Sequence, residues 1–172
     1  KYLKDIIKCR EVVILGRDEK KINDKIKEMS KEGFNICKVN NSSELCNKSN
    51  LIVTTTSANQ SLISKSDVMP GTHITAVGSD TPEKRELDPA ILGISHCIVV
   101  DSISQCKERG ETKYALDDKI IKENDLIELG TVIESGQKAR SEQHEITVAD
   151  LTGVAVQDIM ITNAVYNKLN NK

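Results

Sequence analysis

Aromatic side chains are nearly missing from this 172-residue chain: they make up 2% of it, with no Trp and one Phe. Base stacking on aromatic platforms is thereby set aside as a binding mode. An excess of one charge is missing too. Lys and Arg number 24 against 26 Asp and Glu, a formal net charge of −2, and the basic residues are scattered. A nucleic-acid partner calls for a concentrated basic face, so none is expected. No apolar run approaches the roughly 20 residues of a membrane helix, and no signal-peptide pattern is visible, so no membrane partner is expected. Cys9, Cys37, Cys46, Cys97 and Cys106 form no CxxC pair, so their spacing offers no metal site. Their odd number and scatter suit a reducing compartment, and a cytoplasmic location is expected. Cys37 and Cys97 fall in strand-like runs, where a thiol acts as a small hydrophobe. A glycine-rich G-x-G-x-x-G loop is also absent, which by itself speaks against a phosphate-cradling turn.

What remains is an ordinary balance of 38% hydrophobic and 29% charged residues, with enough length for one domain and a core. Short apolar runs recur: "VVIL" (12–15), "NICKV" (35–39), "LIV" (51–53), "HITAV" (73–77), "CIVV" (97–100) and "EITV" (145–148). Several are unbroken rather than alternating, which predicts parallel strands buried on both faces. Helical segments lie between them. Asp18 is placed as an N-cap before Ile22, Ile26 and Met29, which share a face, and Gly33 is placed to end that helix. Ser42 or Ser43 is placed to cap a shorter helix. A third segment carries Leu126, Leu129, Val132 and Ile133 and stops at Gly136, and a last one runs from about Gly153 to Leu169. The polar stretch 135–145 reads as a surface loop. Strand and helix alternate, so the class is α/β, a doubly wound and mostly parallel sheet with flanking helices.

In such sheets ligands bind at the carboxyl ends of the strands. The residues there are "GRD" (16–18), "TTTSAN" (54–59), "GSDTPEK" (78–84), "DS" (101–102) and "DLTG" (150–153). Any one of them is explained as a turn, but together on one edge they predict a polar cleft. At the end of the first run, where a dinucleotide fold usually keeps an acid for the ribose, stand Gly16 and Arg17. A guanidinium there pairs with a 2′-phosphate, which favours NADP over NAD. The plain alternative is an exposed charge before a helix capped by Asp18. Asp80 likewise reads, on its own, as the residue that opens the turn before Pro82.

"AVGSDTPEKRELDPAIL", "VVDSISQCKERGE", "ELGTVI" and "EITVADLTGVAVQDIMITNAVY" occur in that order. Together they resemble the ornithine cyclodeaminase and mu-crystallin family, from about residue 10 to the end. The resemblance implies a Rossmann-type domain over residues 1–150 that binds NAD or NADP and is incomplete at its N-terminus. Residues 151–172 would form a C-terminal helix packing toward a substrate and dimerisation domain. Lys1 to Lys8 would match the end of the helix after the glycine loop, with the first strand and that loop upstream. In the strand order 3-2-1-4-5-6 that strand is central, so "VVIL" and "LIV" would lose a shared neighbour. A separate chain fills the gap, the sheet closes over it, or the piece is marginally stable.

The resemblance also implies roles. Asp80 falls on the family's reactive carboxylate, active in proton transfer or in positioning water against an imine carbon. Thr56 matches a residue touching the dinucleotide, and Val77, Gly78 and Ser79 match backbone lying along it. Lys84 matches a position approaching the cofactor. Glu83 replaces the family's usual Gly and would strain the turn if positive φ were needed there. Thr152 would lie near the nicotinamide and Gly153 near the substrate, or both simply open a capped helix. Asp101 and Asp150 receive no catalytic role, and His73, His96 and His144 are read as packing or surface groups. The implied activity is on a small amino or imino acid, by deaminating cyclisation or by imine or oxo-acid reduction, in an intact homodimer; this portion alone would be inactive. Asp80 leans toward cyclodeaminases and Gly16–Arg17 toward NADP-linked reduction. The alternatives are a mu-crystallin-like NADP-dependent binding protein without turnover and a flavodoxin-like signalling domain with Asp101 or Asp150 as phosphate acceptor. The latter is disfavoured because no acidic cluster follows the first strand.

Overall fold

The chain builds three separate parallel sheets where one was expected. The computed structural model describes residues 5–136 and 138–170, so part of the expectation for Lys1 to Lys8 lies outside the described residues. Strands β1 (Glu11–Ile14) and β2 (Asn35–Lys38) pair with each other alone. Strands β3 (Leu51–Thr54), β5 (His73–Ala76), β9 (Thr147–Asp150), β7 (Cys97–Val100) and β8 (Leu126–Glu128) make a five-stranded sheet in that order. A small sheet joins β4 (Asn59–Ile63) to β6 (Arg85–Leu87).

The helix between β1 and β2, α1 (Glu19–Lys31), starts as the sequence predicts: Asp18 Oδ1 accepts from Lys21 N at 3.0 Å. It ends at Gly33, whose φ is +85°, while Phe34 N donates to the Met29 carbonyl at 3.3 Å. A left-handed residue at that point satisfies carbonyls the helix leaves open. The next helix, α2 (Ser42–Lys48), differs in its cap. Asn41, not Ser42 or Ser43, accepts from Glu44 N at 2.8 Å, so both serines lie inside the first turn. Asn is among the best N-caps, and it arrives first.

Two further expectations are corrected. Leu126 is not helical; it opens β8, because its backbone finds a ladder partner in Ile98 of β7. The helix that follows, α6 (Leu129–Ser135), starts after it and does stop at Gly136. The run read as 145–148 enters the sheet two residues later, as β9. Three short helices, α3 (Ala90–Gly93), α4 (Ile103–Cys106) and α5 (Glu111–Asp117), lie between β6 and β8. The last helix, α7, spans Ala155–Asn170.

One face of the five-stranded sheet is the core. Ile52, Ile74, Ala76 and Val148 pack with Ile63, Leu87 and Ile91 in one cluster, and Ile98 and Val100 with Leu92, Ala115 and Leu126 in another. The opposite face is not covered at the β3 edge, contrary to burial on both faces: Leu51 is 42% and Val53 54% exposed. Their exposed side chains join those of β1 in lining a cavity of about 940 Å³, together with Ile7, Val12, Val13 and Phe34. Strands β1 and β3, each at an edge of its sheet, are the two expected to flank a shared neighbour. Among the described residues they do not pair with each other, so the sheet does not close between them.

Candidate functional site

The ends of β3 and β5 are tied together by one side chain that sequence reasoning did not single out. Glu86, in β6, is fully buried. Its Oε1 accepts from Thr56 N at 2.6 Å and its Oε2 from Gly78 N at 3.0 Å. Val77 N adds a ladder bond to the Thr54 carbonyl at 2.9 Å. The approach at Gly78 is so close that a Cβ there would run into both the Thr56 carbonyl and the Glu86 carboxylate. Thr56 Oγ1 accepts from Ala58 N at 3.1 Å, and Val77 leaves 42% of its surface exposed at the rim.

After Gly78 the chain makes a closed turn. Ser79 is buried, and its hydroxyl donates to the Lys84 carbonyl at 2.5 Å. Lys84 N donates to the Thr81 carbonyl at 3.2 Å, and Tyr114 OH of α5 donates to the Pro82 carbonyl at 2.8 Å. Glu83 carries no strain: among the described residues Lys119 is the only non-glycine with positive φ. At the tip, Lys84 Nζ lies 2.5 Å from Asp80 Oδ1. The Lys84 hydrogen bond holds the Asp80 carboxyl below its usual range, with Lys84 and Arg109 charges acting the same way. Asp80 is therefore an ionised carboxylate near neutral pH, able to accept a proton or to orient water. The Asp80 side chain is about half exposed, and the controlling influence on it is Lys84.

The 150–153 segment is organised by a second carboxylate. Asp101 Oδ2 accepts from Gly153 N at 2.7 Å, and Oδ1 from the Thr152 hydroxyl at 3.2 Å. Gln105 Nε2 donates to Thr152 Oγ1 at 2.6 Å and to the Gly153 carbonyl at 2.7 Å. The buried Thr152 side chain and both backbone polar groups of Gly153 are thus spent on internal bonds. Asp150 accepts from Thr112 N and Thr112 Oγ1, both at 2.8 Å, and burial pushes its carboxyl up to about 6. Asp101 and Asp150 each accept from a backbone N–H, of Gly153 and of Thr112.

The structure therefore gathers Thr56, Val77, Gly78, Ser79, Asp80 and Lys84 around the joined ends of β3 and β5, and Thr152 and Gly153 around Asp101. Arg17 stands apart at the end of β1, exposed, and Asp18 beside it is engaged in capping α1. His96 and His144 meet edge to face with ring centroids 5.9 Å apart, and His96 Nδ1 accepts from Ile146 N at 3.1 Å, a packing arrangement. Beyond Glu86, Glu111 was also missed. It is buried in the first turn of α5, accepting from Glu86 N at 2.8 Å and Leu87 N at 2.9 Å. The available signal was an acid set in the strand-like "REL" and another directly after Gly110, since a buried acid must find donors.

These residues fit one part of a dinucleotide site. They supply the exposed Thr56, an apolar rim at Val77 and close-set backbone, but the Ser79 and Thr152 hydroxyls are spent internally and the amides of Thr56 and Gly78 are already taken by Glu86. No phosphate cradle is built from those two N–H groups.

A family model described as "Ornithine cyclodeaminase/mu-crystallin family" matches residues 1–172. An uncharacterized cyclodeaminase of Sinorhizobium fredii is 32% identical over 161 residues, 92% of this chain and 49% of that protein. An archaeal alanine dehydrogenase dimer with bound NAD superposes with a TM-score of 0.89 at 30% identity, covering 99% of this chain and 53% of that one. The Delta(1)-pyrroline-2-carboxylate reductase of Thermococcus litoralis, in complex with NADH and L-proline, does so with a TM-score of 0.88 at 25% identity, covering 94% and 51%. The chain spans about half the length of the relatives it matches. The four ordered motifs and these similarities agree, and the chain belongs to the ornithine cyclodeaminase/mu-crystallin family.

Proposed function

We propose that this chain is the nucleotide-holding part of an enzyme that moves hydride between NAD or NADP and a small amino or imino acid. The observation that carries the reading is the rim itself: two strand ends joined at Glu86, with an ionised Asp80 beside Lys84 on the turn that follows. When bound, the dinucleotide supplies the hydride acceptor or donor. Thr56, Val77, Gly78 and Ser79 line and orient it by close packing rather than through the N–H groups of Thr56, Val77 and Gly78, which are already bonded; Thr152 lies along it, and Gly153 borders the substrate. Asp80 holds or takes a proton on the substrate side, and Lys84 fixes where that carboxylate points. Arg17 favours NADP, whereas the archaeal dehydrogenase carries NAD and the Thermococcus reductase NADH.

The intact protein is a cytoplasmic homodimer on this reading, as the archaeal dehydrogenase is described as a dimer. Residues 151–172 serve as the connection to the substrate domain. Val156, Ile159, Met160, Val165 and Leu169 of α7 are each more than half exposed, an apolar surface for that domain to cover. The test is turnover of NADH and NADPH by the full-length protein with cyclic imines and oxo acids, followed by absorbance. Turnover abolished by Asp80→Asn supports the enzyme. Cofactor binding without turnover, unaltered by Asp80→Asn, would leave a small-molecule carrier.

A further inference from the structure

We propose that Glu86 is a positioning residue of the cofactor site, setting the separation of the β3 and β5 ends along which the dinucleotide lies. The inference rests on the nucleotide-holding reading above. A carboxylate is an acceptor with two oxygens, and here each oxygen meets one backbone N–H, Thr56 at 2.6 Å and Gly78 at 3.0 Å. Such bonds to a charged acceptor are the stronger kind. The separation is bounded from the other side by contact, because Gly78 has no room for a Cβ against the Thr56 carbonyl.

Glu86 is itself held. Its own N–H and that of Leu87 donate to the two oxygens of Glu111, in the first turn of α5. The same helix carries Tyr114, whose hydroxyl holds the Pro82 carbonyl in the turn between Asp80 and Lys84. The rim that takes the cofactor and the turn that carries the reactive carboxylate are therefore both referenced to α5. An amide in place of Glu86 has one acceptor and would aim an NH₂ at one of the two N–H donors. One strand end must then turn away.

The experiment is NADH and NADPH binding to the full-length protein, by cofactor fluorescence, at a temperature where circular dichroism reports every variant folded. Glu86→Gln is expected to weaken binding roughly tenfold or more, the scale of one lost bond to a charged acceptor. Glu111→Gln, which leaves the Glu86 carboxylate in place, is expected to lower the melting temperature with a smaller loss of affinity. Gly78→Ala keeps the Glu86 side chain but sets a methyl against both its carboxylate and the Thr56 carbonyl, displacing the same junction by contact, and carries the test should Glu86→Gln not fold. It too is expected to weaken binding. Unchanged affinity in Glu86→Gln overturns the inference alone. So does an affinity loss in Glu86→Gln and Glu111→Gln that follows their melting temperatures in the same proportion, since that is ordinary destabilisation. A wild type that binds neither NADH nor NADPH overturns the cofactor reading and this inference with it.

Discussion

Lys84 and Asp80 form an ion pair across one tight turn, Nζ to Oδ1 at 2.5 Å, and that pair sets the protonation of the candidate acid–base group. Asp80→Asn in the full-length protein is expected to cut turnover by at least ~100-fold, the usual reach of a positioned acid–base group, with cofactor binding retained. Because Lys84 lowers the Asp80 carboxyl, Lys84→Met should move the acid limb of the pH–rate profile upward, toward the ordinary carboxylate range. A limb that stays in place in this variant would mean that Asp80 is not the group titrating.

Glu111 gives a pH dependence of the opposite kind. Burial, first, and the nearby charges of Asp150 and Glu86 push its carboxyl up to about 7, against the lowering effect of the Glu86 and Leu87 N–H groups. A raised acid binds more protons in the folded than in the unfolded state. Its contribution is present at low pH and is lost as pH rises from about 4.5 to about 7, by on the order of 3 kcal/mol. Asp150, raised to about 6, acts in the same direction. Urea melts at pH 5 and pH 8 (both approximate settings chosen to span that window) should show a smaller difference in Glu111→Gln than in the parent chain.

The open edges predict an alternating pattern of amide exchange. In a parallel ladder every second residue bonds to the same neighbour. His73 N meets the Asn50 carbonyl at 2.8 Å and Val77 N that of Thr54 at 2.9 Å, so the N–H groups of Ile52 and Thr54 face β5 while those of Leu51 and Val53 face the cavity. On β1, Asn35 N meets the Arg10 carbonyl at 2.8 Å and Val39 N that of Ile14 at 3.1 Å, which leaves Val13 facing outward. Hydrogen exchange of the isolated chain should find Ile52 and Val12 protected and Val53 and Val13 fast. Equal protection of all four in a monomer would mean that the gap is closed.

Arg17 supplies a test of cofactor preference. Its guanidinium is exposed after β1, where Asp18 is occupied by Lys21 N. Arg17→Ala should weaken NADPH by roughly tenfold, as for one lost charge-assisted contact, and leave NADH unchanged. Equal effects on both would remove the 2′-phosphate from the argument.

Much of this architecture was legible because local and global signals agree. Val12–Ile14, Ile52 and Ile74 lie in runs that only a sheet can bury, and Asp18 and Gly33 mark both ends of α1 by side chain and by backbone freedom. The misreadings share a cause. Leu126 fits a helical spacing but belongs to β8, because the free edge of β7 offers its backbone a partner. "NQSLI" lies outside the apolar runs read as strands, yet it becomes β4 against "REL". Glu86 and Glu111 were overlooked because their importance lies in which backbone groups meet their oxygens, over separations of 30 and 25 residues. No local pattern encodes that.

The bare margin of β3 also bears on how the isolated chain behaves in solution. "LIVT" carries neither charge nor proline, the usual protections of a strand with unsatisfied donors and acceptors. Beside it, Leu51 and Val53 offer exposed apolar side chains. Such a margin is a template for edge-to-edge pairing between copies, so solubility should fall with concentration unless an added strand occupies the vacancy.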